Sequence, residues 1–123
     1  MILDSNIVIY AALPGYDKLR EYLKQKELIV SSITKLEVLG YHKLSKDEID
    51  FFTHFFNNII VVPVNNRIIN QAIKLRQKQK ITLGDSLIAA TSIVYKQDLL
   101  TYNTNDFKHI NQLSLIASNN ILP

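Results

Sequence analysis

Four acidic residues, Asp4, Glu37, Asp85 and Asp106, are placed where carboxylates do chemistry rather than where they merely keep a surface wet. Each falls at or near the start of a helix that follows a strand or a short loop. Met1-Ile2-Leu3-Asp4 reads as an apolar strand ending on a carboxylate, with Ser5-Asn6 and then Ile7-Val8-Ile9-Tyr10 behind it. In an open α/β sheet the ligand crevice lies beyond the carboxyl ends of the strands. Glu37 and Asp85 are flanked by Leu36/Val38 and Leu83/Leu87, which predicts that both are drawn out of water. A carboxylate removed from water without a cation or donors is costly. Several in one cleft raise one another's pKa unless a divalent ion compensates them. Ligation by oxygen alone favours Mg²⁺ or Mn²⁺ over zinc.

Each acid also has an ordinary structural role open to it. Aspartate is among the best N-cap residues, which would account for Asp4. Glu37 lies three residues after Thr34, and Asp85 three after Thr82, the spacing of a capping box. Asp106 follows Asn103 and Asn105 and could cap a short helix. The coincidence of four such positions is what favours a site. The other acids (Asp17, Glu21, Glu27, Asp47, Glu48, Asp50 and Asp98) sit among lysines or on polar faces. His42, His54 and His109 show no ligand spacing and read as surface or interface residues.

Short apolar runs alternate with helical segments along the chain, the pattern of a parallel sheet with crossover helices. Strands are expected over 1–4, 28–30, 59–64 and 99–101, with a last edge strand over 113–116. The run Ile59 to Val64 predicts a strand covered on both sides. Helices are expected over 5–12, stopped by Pro14-Gly15, and over 16–25, 31–39, 66–79 and 83–96, with another opening at Lys46 behind Ser45 as N-cap and a short one from Asn105 to Ile110. The 66–79 helix has Ile68, Ile69, Ala72, Ile73 and Leu75 on its inward face. Arg67, Lys74, Arg76, Lys78 and Lys80 form an outer basic stripe, which suits either a nucleic-acid backbone or plain solvent. The 83–96 helix has almost no polar face and is expected to be central.

The chain has 123 residues, of which 47% are hydrophobic, as expected of one domain spanning 1–123 with a real core. It has no cysteine, which excludes disulfides, zinc–thiolate sites and thiol catalysis, and suits a reducing cytoplasm. An apolar strand starting at Met1 leaves no place for a signal peptide. No apolar run approaches the roughly 20 residues of a membrane helix, so no membrane association is expected. A net charge of +3 is compatible with a polyanionic partner.

Four segments together resemble the PIN domain and, within it, the VapC-like toxins of type II toxin–antitoxin systems. They are Leu3-Asp4-Ser5-Asn6, then Ser32 to Gly40 with Thr34 and Glu37, then Leu83-Gly84-Asp85-Ser86-Leu87-Ile88-Ala89-Ala90-Thr91, and finally Leu100-Thr101-Tyr102-Asn103-Thr104-Asn105-Asp106-Phe107. Order, spacing and length agree over essentially the whole chain. The Asp85 and Asp106 blocks are the most specific. The chain has Ser5 where many relatives have threonine, Gly84 where alanine or proline often precedes the third acid, and Asn103 where some relatives carry an acid. The fourth acidic position is therefore open between Asn103 and Asp106.

The resemblance implies a three-layer α/β/α sandwich around a mainly parallel sheet. It implies a metal-dependent ribonuclease, with Asp4, Glu37, Asp85 and Asp106 around Mg²⁺ or Mn²⁺ and a 5′-phosphate and 3′-hydroxyl as products. Asp4 and Asp85 would be the principal ligands, and Glu37 and Asp106 would complete the cluster and help deprotonate the attacking water. Ser5, Asn6 and Asn103 would position ligands or phosphate oxygens. The implied partners are RNA, an antitoxin whose C-terminal segment occupies the crevice, and a second copy in a homodimer. The aromatic residues Tyr41, Phe51, Phe52, Phe55 and Phe56 are either an antitoxin or dimer contact or ordinary core. The competing readings are a PIN nuclease of RNA processing without an antitoxin, and a non-catalytic PIN-like module that binds RNA or protein. A receiver-type phosphoryl-transfer domain is disfavoured, because no second acid stands beside Asp4.

Overall fold

The computed structural model describes residues 1–117 and Ile121. Four short strands, β1 (Ile2–Leu3), β2 (Ile29–Ser31), β3 (Ile60–Val62) and β4 (Leu99–Leu100), form a parallel sheet in the order β3-β2-β1-β4. Ile2 is in register with Ile29 on one side and Leu99 on the other, so β1 is central. The expected last edge strand is reduced to one parallel bridge between Leu99 and Leu115.

Neighbouring residues of a strand face opposite sides of the sheet, and here each central strand feeds two cores. Leu3, Val30 and Leu100 face a core built with Ile7, Val8, Leu19, Leu23, Phe52 and Phe56. These come from α1 (Ser5–Ala11), α2 (Asp17–Lys24) and α4 (Lys46–Asn57). Ile2, Ile29 and Leu99 face the other core, with Ile68, Ala72, Leu75, Leu87, Ile88 and Phe107. That core lies under α5 (Asn66–Lys78) and α6 (Leu83–Tyr95). The result is the expected α/β/α sandwich. Each fully buried large apolar side chain contributes about 1.5–3 kcal/mol.

Helix starts follow local chemistry. Ser31 caps α3 (Ser32–Leu39) by accepting from the Ile33 N–H, and Asn65 caps α5 through Ile68. Ser45 and Glu48 form a reciprocal capping box at α4. Gly15, at φ +87°, carries the turn after α1.

Three expectations are overturned. The 59–64 run is not covered on both sides: β3 is the edge strand, with Val62 buried but Ile60 45% exposed. On α5, Ile69 and Ile73 do not point inward; they are 40% and 48% exposed. That helix packs chiefly on α6, and only the stripe Ile68, Ala72 and Leu75 reaches the core. The expected 105–110 helix is a single 3₁₀ turn, Thr104–Asp106, held down by the buried Phe107 and Ile110.

Candidate acidic active site

The sheet delivers Asp4 to its carboxyl edge directly after β1, and the start of α1 turns the residue inward. Asp4 is the N-cap of α1, as its sequence position allows, and its Oδ1 accepts from the Ser5 N–H at 2.8 Å. Yet it is no ordinary surface cap, because it is only 6% exposed. Its Oδ2 accepts from the Thr101 hydroxyl at 2.7 Å and from Asn6 Nδ2 at 3.3 Å. Thr101 follows β4 and is itself fully buried. Asn6 Oδ1 accepts from the Tyr102 N–H at 3.2 Å, and Thr101 Oγ1 from the Asn103 N–H at 3.1 Å. Two strand ends and the first turn of α1 are thus laced together through one carboxylate.

Glu37 enters from α3. The capping-box reading of Thr34 and Glu37 does not hold: Ser31 is the cap, and Thr34 is buried inside the helix. Glu37 Oε1 instead accepts from the Ser5 hydroxyl at 2.9 Å, and the same hydroxyl lies 3.3 Å from Thr34 Oγ1. Asp85 stands in the first turn of α6. Thr82 is the N-cap there and accepts from the Asp85 N–H at 3.2 Å, so the structural role and the site coincide. A methyl group at Gly84 would lie 3.5 Å from Glu37 Oε2, which measures how closely α6 approaches α3. Asp106 ends the 3₁₀ turn and does not cap it; that place belongs to Asn103, whose side chain makes no capping bond.

The apolar-neighbour argument for burial fails in detail. Glu37 is exposed and Asp85 only half-buried, while Leu36 and Leu83 are 66% and 62% exposed. Adjacent helical residues point about 100° apart, so a neighbour in sequence is not a neighbour in environment. Of the four acids only Asp4 is buried, although its place in the sequence reads equally as an ordinary N-cap.

The electrostatics show an excess of negative charge. Burial pushes the Asp4 carboxyl above the usual aspartate range, with Glu37 and Asp106 adding to it, against the donors Thr101 and Ser5. Burial likewise raises Asp85, with Asp4 and Asp106 contributing and Thr82 opposing. Among the described residues, the ion pairs are Arg20–Asp17 and Lys24–Glu21, and none involves these four acids. Nor do any three acidic or imidazole side chains close on a single point among those residues. Asp85 and Asp106 share one groove, and Glu37 borders another; Asp4 is tied to Glu37 through Ser5. Oxygen-only donors with uncompensated charge fit a hard divalent cation such as Mg²⁺ or Mn²⁺.

Of the residues expected to position ligands, Ser5 donates its hydroxyl to Glu37 and Asn6 its side-chain amide to Asp4. Asn103 contributes its backbone N–H to Thr101, and its side chain is exposed. Thr101 and Tyr102 were missed as site residues. Thr101 reads as an ordinary β-branched strand residue, and its only signal was its place in the block ending at Asp106.

Several known proteins are similar to this chain in sequence and fold. Ribonuclease VapC1 of Rickettsia felis is 29% identical over 132 aligned positions, covering 95% of both chains. A toxin–antitoxin complex from Klebsiella pneumoniae contains a chain of 25% identity and TM-score 0.78, covering 91% of this chain and 93% of that one. VapBC2 from Rickettsia felis, solved bound to a DNA fragment from their promoter, gives a TM-score of 0.83 at 24% identity, over 94% of this chain and 96% of that one. The family model of the PIN domain matches residues 1–113, from the strand that carries Asp4 to beyond the turn that carries Asp106, and the chain belongs to that family.

Proposed function

We propose that this protein is a Mg²⁺-dependent endoribonuclease, with Mn²⁺ able to substitute, and the toxin of a toxin–antitoxin pair. The observation that carries the reading is the buried Asp4 carboxylate at the end of the central strand, without a cationic partner among the described residues and close enough to Glu37, Asp85 and Asp106 for their charges to act on one another. The name of the Rickettsia relative and the assemblies formed by the structural neighbours support it.

Asp4 and Asp85 would be the principal ligands of a divalent cation, which when bound would supply charge neutralisation at the scissile phosphate and a lowered pKa for the attacking water. Thr101, Asn6 and the Ser5 N–H fix the Asp4 carboxylate so that it does not rotate away. Glu37, steadied by the Ser5 hydroxyl, takes a proton from the water. Asp106 completes the cluster, and the free amide of Asn103 orients a phosphate oxygen. Asn6, with both amide atoms engaged, is a strut rather than a phosphate ligand.

An apolar groove of about 270 Å³ runs up to Glu37, lined by Ile9, Leu13, Val38, Tyr41, Leu44 and Phe52. It suits the C-terminal segment of an antitoxin. The aromatic surface available to an antitoxin or to a second copy in a homodimer is smaller than the sequence suggests, because Phe52 and Phe56 are core. No helix among the described residues is long and apolar enough to cross a membrane, and the proposed place of action is the cytoplasm. Induced expression in a bacterial host should arrest growth, the neighbouring antitoxin gene should relieve the arrest, and Asp85→Asn should abolish it. Normal growth with well-expressed wild-type protein would defeat the toxin reading.

A further inference from the structure

We propose a path for single-stranded RNA across the carboxyl edge of the sheet, resting on the ribonuclease reading: one base stacks on Tyr102, and the phosphates beyond the scissile bond lie in a basic groove lined by Arg76, Lys80 and His109. Two independent features, one in each helical layer, define it.

The first is a groove of about 560 Å³ that contains two of the acids. Asp85 and Asp106 line it together with Arg76, Lys80, Thr82 and His109. His109 also lines a second groove of about 480 Å³, with Lys74, Lys78, Gln71 and Gln112, so the two adjoin at that residue. Arg76, Lys80, Lys74 and Lys78 line these grooves, and none forms an ion pair among the described residues. The chain has no acidic residue between Asp50 and Asp85, and over that stretch it carries Arg67, Lys74, Arg76, Lys78 and Lys80. A solvated helix face is more often laced with both signs of charge. A one-sign stripe opening onto an acidic crevice compensates the repulsion that crevice exerts on a polyanion.

The second feature is a tyrosine cluster in the opposite layer. The Tyr102 ring, 42% exposed, leans on Tyr10 at 4.9 Å, and Tyr10 stacks on Tyr16 at 5.0 Å. Tyr10 and Tyr16 pack on the core beneath α1 and α2, whereas the basic residues belong to the α5/α6 side. Through its N–H to Asn6, and Asn6 to Asp4, the Tyr102 backbone is two hydrogen bonds from the buried carboxylate. An exposed, supported ring beside a phosphodiester site is a platform for an unpaired base. Asp4 lies two hydrogen bonds from the platform, and Asp85 and Asp106 line the groove beside the basic residues, which sets the scissile phosphate at the acids with the ring on one side and the basic residues on the other.

The test uses fluorescence anisotropy with a fluorescein-labelled single-stranded RNA of mixed sequence. All proteins carry Asp85→Asn so that the probe stays intact, and KCl is varied between about 50 and about 200 mM. Arg76→Ala with Lys80→Ala should weaken binding and reduce the slope of log affinity against log salt by about 1.4, two phosphate contacts at about 0.7 each. Tyr102→Ala should weaken binding by roughly 5- to 100-fold with the slope unchanged, and Tyr102→Phe should restore it. The chain has no tryptophan, so Tyr102→Trp supplies a lone indole fluorophore that RNA should quench. Variants that are folded but match the parent in affinity and slope, or an indole signal indifferent to bound RNA, would overturn the path and leave the ribonuclease reading standing. A parent that binds no RNA even at the lowest salt would overturn both.

Discussion

Thr101 is the residue through which the buried charge of Asp4 is made tolerable, and replacing it by valine should show how much that matters. Valine keeps the shape of threonine and removes the hydroxyl that donates to Asp4 Oδ2 at 2.7 Å. Both residues are buried, Thr101 completely and Asp4 to 6% exposure, so water does not readily take the place of the lost donor. A hydrogen bond to a charged acceptor contributes about 1.5–3 kcal/mol. Asn6 Nδ2 remains at 3.3 Å and holds part of the charge, which places the expected loss near 2 kcal/mol. For a chain of this size that is a fall in Tm of roughly 6–10 °C. The loss should also depend on pH. Burial has already raised the folded-state pKa of Asp4, and removing a donor that lowers it raises it further. A carboxyl whose folded pKa lies above its unfolded value favours the fold at low pH, and that contribution is lost as pH rises through the folded pKa. The valine protein should therefore be most compromised at neutral pH, with the difference shrinking to about 1 kcal/mol in acid, where the bond is neutral. Urea denaturation of metal-free wild type and Thr101→Val at about pH 7 and about pH 4.5 measures this. A loss below about 0.5 kcal/mol at neutral pH, or the same loss at both pH values, would refute the reasoning.

Other outcomes follow from the same geometry. Gly84→Ala should raise stability by about 0.5–1 kcal/mol in a thermal melt, since alanine suits the first turn of α6 better and its methyl meets Glu37 Oε2 at an ordinary 3.5 Å; cleavage should survive, and a destabilised or inactive protein would mean that α3 and α6 cannot give way there. Adding Mg²⁺ or Mn²⁺ should raise Tm in the wild type, by about 2.7 kcal/mol of stability at a hundredfold excess over Kd, and not in Asp85→Asn; equal shifts in both would place the cation elsewhere. In the metal-free protein the Asp4 and Asp85 carboxyls should titrate above the usual aspartate range, because burial raises both, and added Mg²⁺ should bring them down; an NMR titration giving ordinary aspartate values without metal would contradict that.

The sequence was a good guide wherever a local rule acts without competition. Ser45 announced α4 as its N-cap, and Pro14-Gly15 ended α1. It misled where the environment is set by distant parts of the chain. Nothing within Ile59 to Val64 says that β3 will lie at the edge, and nothing in α5 says that only one stripe meets α6. The four acids stand out in the sequence by their places at helix starts. The burial of Asp4 does not, because that residue is covered by the end of β4 and the start of α1, which are far apart in the chain. Thr101 was overlooked for the same reason: a threonine ending a strand looks ordinary until the strand beside it ends on a carboxylate.

The most direct test of the central claim is cleavage of a mixed tRNA, rRNA and mRNA pool by purified, antitoxin-free protein, with Mg²⁺, Mn²⁺ or EDTA, beside Asp4→Asn. The account predicts cleavage that requires the metal, leaves 5′-phosphate ends and disappears in the mutant. Cleavage that persists in EDTA, or that Asp4→Asn retains in full, would contradict it, as would folded wild-type protein that cuts no RNA with either metal.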